Sequence, residues 1–325
     1  GPIIMKQAKR LLKTLLADEI AAGRIVLREI EGLTLENRMA LGQAVPTDVL
    51  EAIKACDVIL KGPTTTPKGG TMESANVTLR KELDLFANVR PVSIPELGID
   101  WTFYRENTEG EYSLGSKGIV ISDDLSVDFK VTTTAGTERI ARAAFEFAKA
   151  NGKSRVSIVT KANIMKKTDG KFLDLCYRVA KDYPDIKTDD WYVDIMAANL
   201  VNPDIRADFQ VFVLPNLYGD IITDEAAQIQ GGVGTAGSAN VGAKYAMFEA
   251  IHGSAPRMVR DGIADKANPA SIMKAAVMLL RHIGMAEKAA KLDSAVNLAS
   301  ESLNMSGTAD GNSAADFSAI VMKHL

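Results

Sequence analysis

Val211-Phe-Val-Leu-Pro-Asn-Leu-Tyr-Gly-Asp-Ile-Ile-Thr-Asp224 holds a strand, a break and an acidic helix in one short stretch. Val211 to Leu214 is an apolar run of β-branched, aromatic and aliphatic residues, the pattern of a buried strand. Pro215 and Gly219 interrupt it, and the run from Asp220 through Glu225 to Ala227 predicts a helix. Asp220 and Asp224 are four positions apart, which puts both carboxylates on one helix face, one turn apart. Two such charges repel unless a cation lies between them, and their hard oxygens suit Mg²⁺ or Mn²⁺. The positive end of a helix dipole would also favour acids here without any metal. The rest of the chain decides between the two readings.

With 325 residues the chain exceeds a usual single core, which predicts two domains. A hydrophobic content of 46% and a charged content of 24% are those of a soluble globular protein. The formal net charge of −3, with no basic stripe interleaved with aromatics, argues against a nucleic-acid partner. Apolar runs stop well short of the ~20 residues of a membrane span, so no membrane partner is expected. Cys56 and Cys176 lie far apart without metal-type spacing, which suits a reducing, cytoplasmic compartment.

Outward from the central stretch, strands alternate with helices. Met5 to Ala22 reads as a helix ending at Gly23, followed by a strand over Arg24 to Glu29. Pro46 opens a helix over Asp48 to Ala55, and Cys56 to Leu60 reads as a strand. Residues 61–70 form a loop by composition. Asn76 to Leu85 is helical, Val89 to Ile94 and Trp101 to Tyr104 are extended, and residues 117–133 alternate as a hairpin would. Further on come a helix over 136–150, a strand from Arg155 to Val159, a helix over 169–182 and a strand over 190–194. After the central strand lie a glycine-rich stretch, 231–242, and helices over 269–284, 286–304 and 313–324. The alternation predicts an α/β fold with a substantially parallel sheet.

Ser74 and Asn76 stand at the positive end of the helix that carries Arg80, and Arg80, Arg90 and Arg105 each read as falling in a loop or at an element end. Guanidinium forks bind carboxylates bidentately, so this group suits a polycarboxylate, although any one arginine alone is explained by surface pairing. Lys161 directly follows an apolar strand and could transfer protons if its environment tuned it; alone it is an ordinary surface lysine. Gly231 to Gly234 and Ile251-His-Gly-Ser-Ala-Pro256 are loops of small residues suited to close approach by a nucleotide. His252 alone would be an ordinary loop histidine. G-x-G-x-x-G after a first strand is absent, so the Rossmann fingerprint is not there.

Six segments in unbroken order carry a resemblance. They are Lys-Gly-Pro-Thr-Thr-Thr-Pro at 61–67, Ala-Asn-Val-Arg-Pro-Val at 87–92 and Arg-Glu-Asn-Thr-Glu-Gly-Glu-Tyr at 105–112. Lys-Ala-Asn-Ile-Met at 161–165, Asn-Leu-Tyr-Gly-Asp at 216–220 and His-Gly-Ser-Ala-Pro at 252–256 complete them. Together they resemble the β-decarboxylating dehydrogenases acting on isocitrate, isopropylmalate, homoisocitrate and tartrate, and most nearly the short NAD-type isocitrate dehydrogenases of the tricarboxylic acid cycle. The family opens with a strand and a Gly-Asp-Gly-Ile-Gly-Pro turn whose end Gly1-Pro2 fits; Gly-Pro is also what a protease cleavage leaves.

The resemblance implies an isocitrate/isopropylmalate dehydrogenase-like fold, two domains on one long mixed sheet, and not a Rossmann fold. Residues 1–85 and 231–325 would form the large domain, 86–109 and 134–230 the small domain, and 110–133 a clasp that helps build a homodimer. Each active site would take Lys161, Asn163 and Asp194 from the neighbouring subunit. Asp220, Asp224 and the neighbour's Asp194 would hold Mg²⁺ or Mn²⁺ against the substrate's hydroxyl and α-carboxylate. Lys161 would take the hydroxyl proton as hydride passes to the nicotinamide, and Tyr112 would protonate the enolate left by loss of CO₂. Arg80, Arg90 and Arg105 would hold carboxylates, with Ser74 and Asn76 reading a third one, which points to isocitrate rather than an isopropyl-bearing substrate. Homoisocitrate and 3-isopropylmalate are the alternatives. Thr66 and Asn163 would face the nicotinamide, and His252, Gly253, Ala255 and Asn268 the adenosine.

Coenzyme choice is where the pattern departs. NAD-dependent relatives place an acidic residue just after His-Gly-x-Ala-Pro, and here Arg257 stands there, able to pair with the 2′-phosphate of NADP. The likeness to short NAD-type chains points to NAD. A non-catalytic regulatory subunit is a competing class, but Tyr112, Lys161, Asp194, Asp220 and Asp224 are all retained.

Overall fold

The computed structural model describes residues 1–66, 72–115, 117–232 and 234–325. Pro67, which ends the 61–67 segment, the remainder of the 61–70 loop, and Val233 of the glycine-rich stretch lie outside the described residues. In chain order the elements begin α1 (Pro2–Leu15), α2 (Ala17–Ala21), α3 (Leu35–Leu41), α4 (Thr47–Lys54), β1 (Val58–Lys61), α5 (Ala75–Glu82), β2 (Ala87–Ile94) and β3 (Ile99–Glu106). Next come β4 (Ile119–Ser122), β5 (Leu125–Val127), α6 (Thr134–Ala150), β6 (Arg155–Thr160), α7 (Thr168–Ala180), β7 (Lys187–Tyr192), α8 (Val193–Val201) and β8 (Val211–Leu214). The last are α9 (Asn216–Ile229), β9 (Gly237–Val241), β10 (Ala246–Ala250), α10 (Pro256–Arg260), α11 (Ala270–His282), α12 (Ala286–Ser302) and α13 (Ala314–Lys323).

Among the described residues the strand order is β1-β10-β9-β2-β3-β8-β6-β7, an 8-stranded mixed sheet, with β4 and β5 as a separate antiparallel hairpin. β1 pairs β10 in parallel, as β3 and β6 do β8, whereas β2 and β3 are antiparallel over their full length. This is an α/β architecture with the mixed sheet expected, and its antiparallel pair sets it apart from the parallel Rossmann order.

Two compact units divide the chain: Gly1–Asn76 with Val233–Ala239 and Ala246–Leu325, and Val77–Gly232 with Asn240–Tyr245. In the first unit Ile4, Ala8, Leu11 and Leu12 of α1, at helical spacing, are buried. Leu11 and Leu12 pack with Met273, Leu280, Leu292 and Phe317 of α11, α12 and α13. In the second unit β8 is buried along its whole length. Its alternate residues Val211 and Val213 meet Ile140, Phe145 and Phe172 of α6 and α7. Phe212 and Leu214 face the other way, onto Met196 and Ile222 of α8 and α9. Phe212 stacks on Phe103 with ring centroids 4.3 Å apart, so Phe212→Ala would remove ~3–5 kcal/mol.

Several expectations need correction. Arg24 to Glu29 is irregular backbone, and Val26 is 80% exposed; a short apolar run makes no strand without a partner for the ladder. The single helix over 5–22 is two, broken at Leu16. Glycine-rich 231–242 contains strand β9. Asp194 lies in the first turn of α8 and not at the end of a strand. The acidic helix starts at Asn216 with Pro215 as its cap, so Gly219 is inside it. Arg90 lies in the middle of β2.

Candidate active site

β8 hands the chain to Pro215, and α9 begins at once, so Asp220 and Asp224 project one turn apart. Gly219 makes room for what crosses them: a Cβ there would lie 2.5 Å from Cγ of Arg105. Arg105, 1% exposed at the end of β3, donates from Nε and Nη2 to Asn216 Oδ1 at 3.0 and 2.8 Å. Its Nη1 pairs with Asp220. Arg90, 6% exposed, donates from Nη1 to Thr223 Oγ1 at 2.6 Å and to Asp224 Oδ1 at 2.9 Å. Its Nη2 lies 3.7 Å from Asp220 Oδ1, and its Nε is held by Asn88 Oδ1 at 2.9 Å. Tyr112 Oη donates to Asp220 Oδ2 at 3.0 Å.

The electrostatics follow from this crowding. Burial pushes the Arg105 guanidinium down to about 10, with Arg80 and Arg90 adding repulsion against the pull of Asp220. For Asp220 burial works upward, but Arg105, Arg90, Tyr112 and Arg80 outweigh it and hold the carboxyl below its usual range. Burial and the Asp220 charge raise the Tyr112 phenol. Arg80, Arg90, Arg105, Tyr112, Asp220 and Asp224 thus share one electrostatic environment in the second unit. Ser74 immediately precedes α5, Asn76 is its second residue and Arg80 lies one turn on. Asn76 Oδ1 accepts from Thr64 Oγ1 at 2.9 Å.

Lys161 follows β6 and its Nζ lies 2.5 Å from Asp194 Oδ1. This contact holds the Asp194 carboxyl below its usual range. Asn163 is exposed on the same loop.

In the first unit Lys61 and Glu249 lie opposite each other at the ends of β1 and β10, both buried, with Nζ 2.9 Å from Oε2. The loops that follow these strands meet where Thr65 Oγ1 donates to Ser254 Oγ at 2.7 Å. Thr66 and Gly253 are exposed beside that contact, and Ala255 holds a left-handed φ of 46° at the cap of α10. His252 Nδ1 lies 2.9 Å from Gly253 O, and Asn268 Oδ1 accepts from the Ala270 N–H at the start of α11, 2.9 Å away. Arg257 is exposed and 3.4 Å from Asp261.

Sequence reading missed several supports. Arg38 is fully buried and binds the Ala44, Thr65 and Glu73 carbonyls at 2.7, 2.8 and 3.4 Å, holding the segments that carry Thr66 and Ser74. Nothing in its neighbourhood marks an arginine as interior. Asn88, Asn216 and Thr223 sit inside segments already singled out, so their spacing on β2 and α9 could have revealed them.

Asp220 and Asp224 offer hard oxygens to a divalent ion, each now turned toward a guanidinium. Among the described residues no cluster of three acidic, histidine or cysteine side chains forms. By donor type the two carboxylates suit Mg²⁺ or Mn²⁺.

The family model for isocitrate/isopropylmalate dehydrogenase matches residues 1–319. The chain is 40% identical over 307 residues to the NADP-type isocitrate dehydrogenase of Rickettsia felis, covering 91% of this chain and 60% of that protein. It is 42% identical over 258 residues to the mitochondrial NAD-type isocitrate dehydrogenase subunit alpha of Macaca fascicularis, covering 77% and 72%. To the 3-isopropylmalate dehydrogenase of Archaeoglobus fulgidus it is 43% identical over 261 residues, covering 78% and 76%. The crystal structure of isocitrate dehydrogenase from Methylococcus capsulatus superposes with a TM-score of 0.88 at 34% identity, covering 100% of this chain and 96% of that one. The chain thus spans 60% of the length of the rickettsial relative it matches. On sequence and on fold, the chain belongs to the isocitrate/isopropylmalate dehydrogenase family.

Proposed function

We propose that the protein oxidises isocitrate to 2-oxoglutarate and CO₂ with NAD(P), NAD being preferred, in a cytoplasmic homodimer with shared active sites. The observation that carries this reading is the convergence of Arg80, Arg90 and Arg105, 8%, 6% and 1% exposed, on Asp220, which shares a face of α9 with Asp224 and which the Tyr112 phenol reaches from the segment after β3. Buried guanidiniums are costly unless paired. A tricarboxylate would take over the N–H groups now directed at Asp220 and Asp224. Ser74 and Asn76 at the start of α5 favour a third carboxylate over an isopropyl group. The likeness to a 3-isopropylmalate enzyme keeps that substrate, and with it homoisocitrate, as the second reading.

Asp220, Asp224 and Asp194 of the partner subunit would hold Mg²⁺ or Mn²⁺, which supplies Lewis acidity at the substrate's hydroxyl and α-carboxylate, while NAD(P) supplies the hydride acceptor. The partner's Lys161 accepts the hydroxyl proton. Arg80, Arg90 and Arg105 fix the carboxylates, and Tyr112 Oη, already aimed into the site, returns a proton to the carbon that loses CO₂. Thr66 and the partner's Asn163 line the nicotinamide side; His252, Gly253, Ala255 and Asn268 line the adenosine, with Arg257 at its ribose. The 110–133 segment acts as the clasp between subunits, a reading supported by the exposed apolar residues of β4 and β5, among them Val120 at 74%. The large domain is 1–85 with 231–325, the small domain 86–109 with 134–230.

The deciding experiment is the initial rate with NAD and with NADP, each with isocitrate and Mg²⁺, using isopropylmalate and homoisocitrate as controls. Reduction of NAD with isocitrate is expected. Activity with another 2-hydroxy acid alone would overturn Ser74 and Asn76 as substrate readers. A preference for NADP would assign Arg257 to the 2′-phosphate.

A further inference from the structure

The second unit buries another charged cluster that none of these steps uses. Lys130, in the segment after β5, has a side chain 5% exposed. Its Nζ lies 2.6 Å from Asp169 Oδ1, 3.3 Å from Glu111 Oε1 and 4.1 Å from the Tyr218 ring centroid. Asp169, in the first turn of α7, is fully buried, and its other oxygen, Oδ2, accepts the Lys161 N–H at 2.8 Å.

The backbone between these two residues closes on itself. Lys161 O accepts from the Ile164 and Met165 N–H groups, both at 2.9 Å, and Met165 O accepts from the Asp169 N–H at 2.9 Å. The Asp169 carboxylate then ties the first turn of α7 back to the first residue of this loop. A fully buried carboxylate is costly without a cation, and the start of a helix offers only a partial charge. Lys130 supplies the full one. Each further contact of Lys130 abuts the site: Glu111 precedes Tyr112, and Tyr218 lies two residues before Asp220 on α9.

We propose that Lys130 and Asp169 are a positioning pair, fixing the backbone from which Lys161 reaches Asp194 and linking it to the elements that carry Tyr112 and Asp220. This rests on the proton-transfer role given to Lys161 above. In a dimer with shared sites, Tyr112 and Asp220 serve a subunit's own site while Lys161 and Asp194 serve the neighbour's. One buried ion pair then sets geometry at two sites.

The test uses the whole protein with Lys130→Met, Lys130→Arg and the double change Lys130→Met/Asp169→Leu, which removes the buried charge together with the acceptor. Amide exchange over residues 161–169, thermal midpoint, and kcat and KM for isocitrate are measured. Lys130→Met is expected to speed exchange there and to lower kcat by roughly 10–100-fold, the range of outer supports in catalytic sites, with KM little changed. The double variant should recover the thermal midpoint but neither the exchange protection nor kcat, and Lys130→Arg should recover most of all three. Unchanged exchange in Lys130→Met overturns the pair as the tie of this loop. Faster exchange with normal kcat, while Lys161→Met is inactive, overturns its catalytic consequence alone. Full activity in Lys161→Met would instead sink the role of Lys161, and the positioning claim with it.

Discussion

Lys161 Nζ and Asp194 Oδ1 lie 2.5 Å apart, joining the loop after β6 to the first turn of α8 within one chain. Two groups assigned to a neighbouring site are therefore presented together. Replacing Lys161 by Met removes a proton acceptor but leaves the arginines in place. Turnover should fall by roughly 10²–10⁴-fold, the usual worth of a general base. Substrate and metal binding, followed by calorimetry, should persist; an unchanged kcat would remove Lys161 from the chemistry.

Asp224 carries its carboxylate on the same face as Asp220 and is 2.9 Å from Arg90. Asp224→Asn keeps the shape and removes the charge. The loss of activity with Mg²⁺ should exceed the ~10–100-fold typical of changes outside the first coordination shell. The circular dichroism spectrum and sedimentation behaviour should match the parent protein. Near-normal turnover at saturating Mg²⁺ would exclude Asp224 as a ligand.

Gly219 is an interior helix residue whose missing Cβ gives space to the stem of Arg105, so Gly219→Ala trades better helix propensity for a clash. The contact falls on Cβ and Cγ of Arg105, near its backbone, where the side chain cannot swing clear. The variant should lose about 1–3 kcal/mol of stability and bind substrate more weakly. A stabilised protein with unchanged KM would show that Arg105 can be displaced without consequence.

The Asp220 carboxyl is held below its usual range, so its pairing stabilises the fold above the unfolded-state value, ~3.9. That contribution is lost as pH falls through the lower folded-state value. Thermal midpoints of the parent and Asp220→Asn should differ by a constant amount near neutrality and converge in acid below about pH 4. A gap that widens with acid would reverse the assigned sign.

The sequence discloses the elements whose pattern and environment agree. β8 is legible because an apolar run bounded by proline is buried on both faces, and α6, α11 and α13 because their apolar positions recur at helical spacing. β9 is hidden: Gly237-Ser-Ala-Asn-Val241 has little strand character, and its small residues answer to packing. A Cβ on Gly237 would lie 2.4 Å from the Ala275 backbone nitrogen, so α11 and not propensity selects the residue there. Of the candidate site, the acids, arginines and Tyr112 are legible because they stand in or beside the segments that carry the family resemblance. Lys130, Asp169 and Arg38 are not, because a buried charge is defined by partners distant in sequence, and a lysine in a polar segment looks solvated until the fold closes around it.

Both tryptophans of the chain, Trp101 and Trp191, belong to the second unit. Trp101 is fully buried, edge-on to Phe103 and Phe212, with its Nε1 donating to Arg206 O at 3.0 Å. Emission excited at the indole band therefore reports on one unit alone. A fluorescence-detected melting curve would follow the core around β3 and β8 and stay silent on loosening among α1, α11, α12 and α13. Disagreement between that curve and a far-ultraviolet dichroism curve would then locate which half gives way first, with no label attached to the protein.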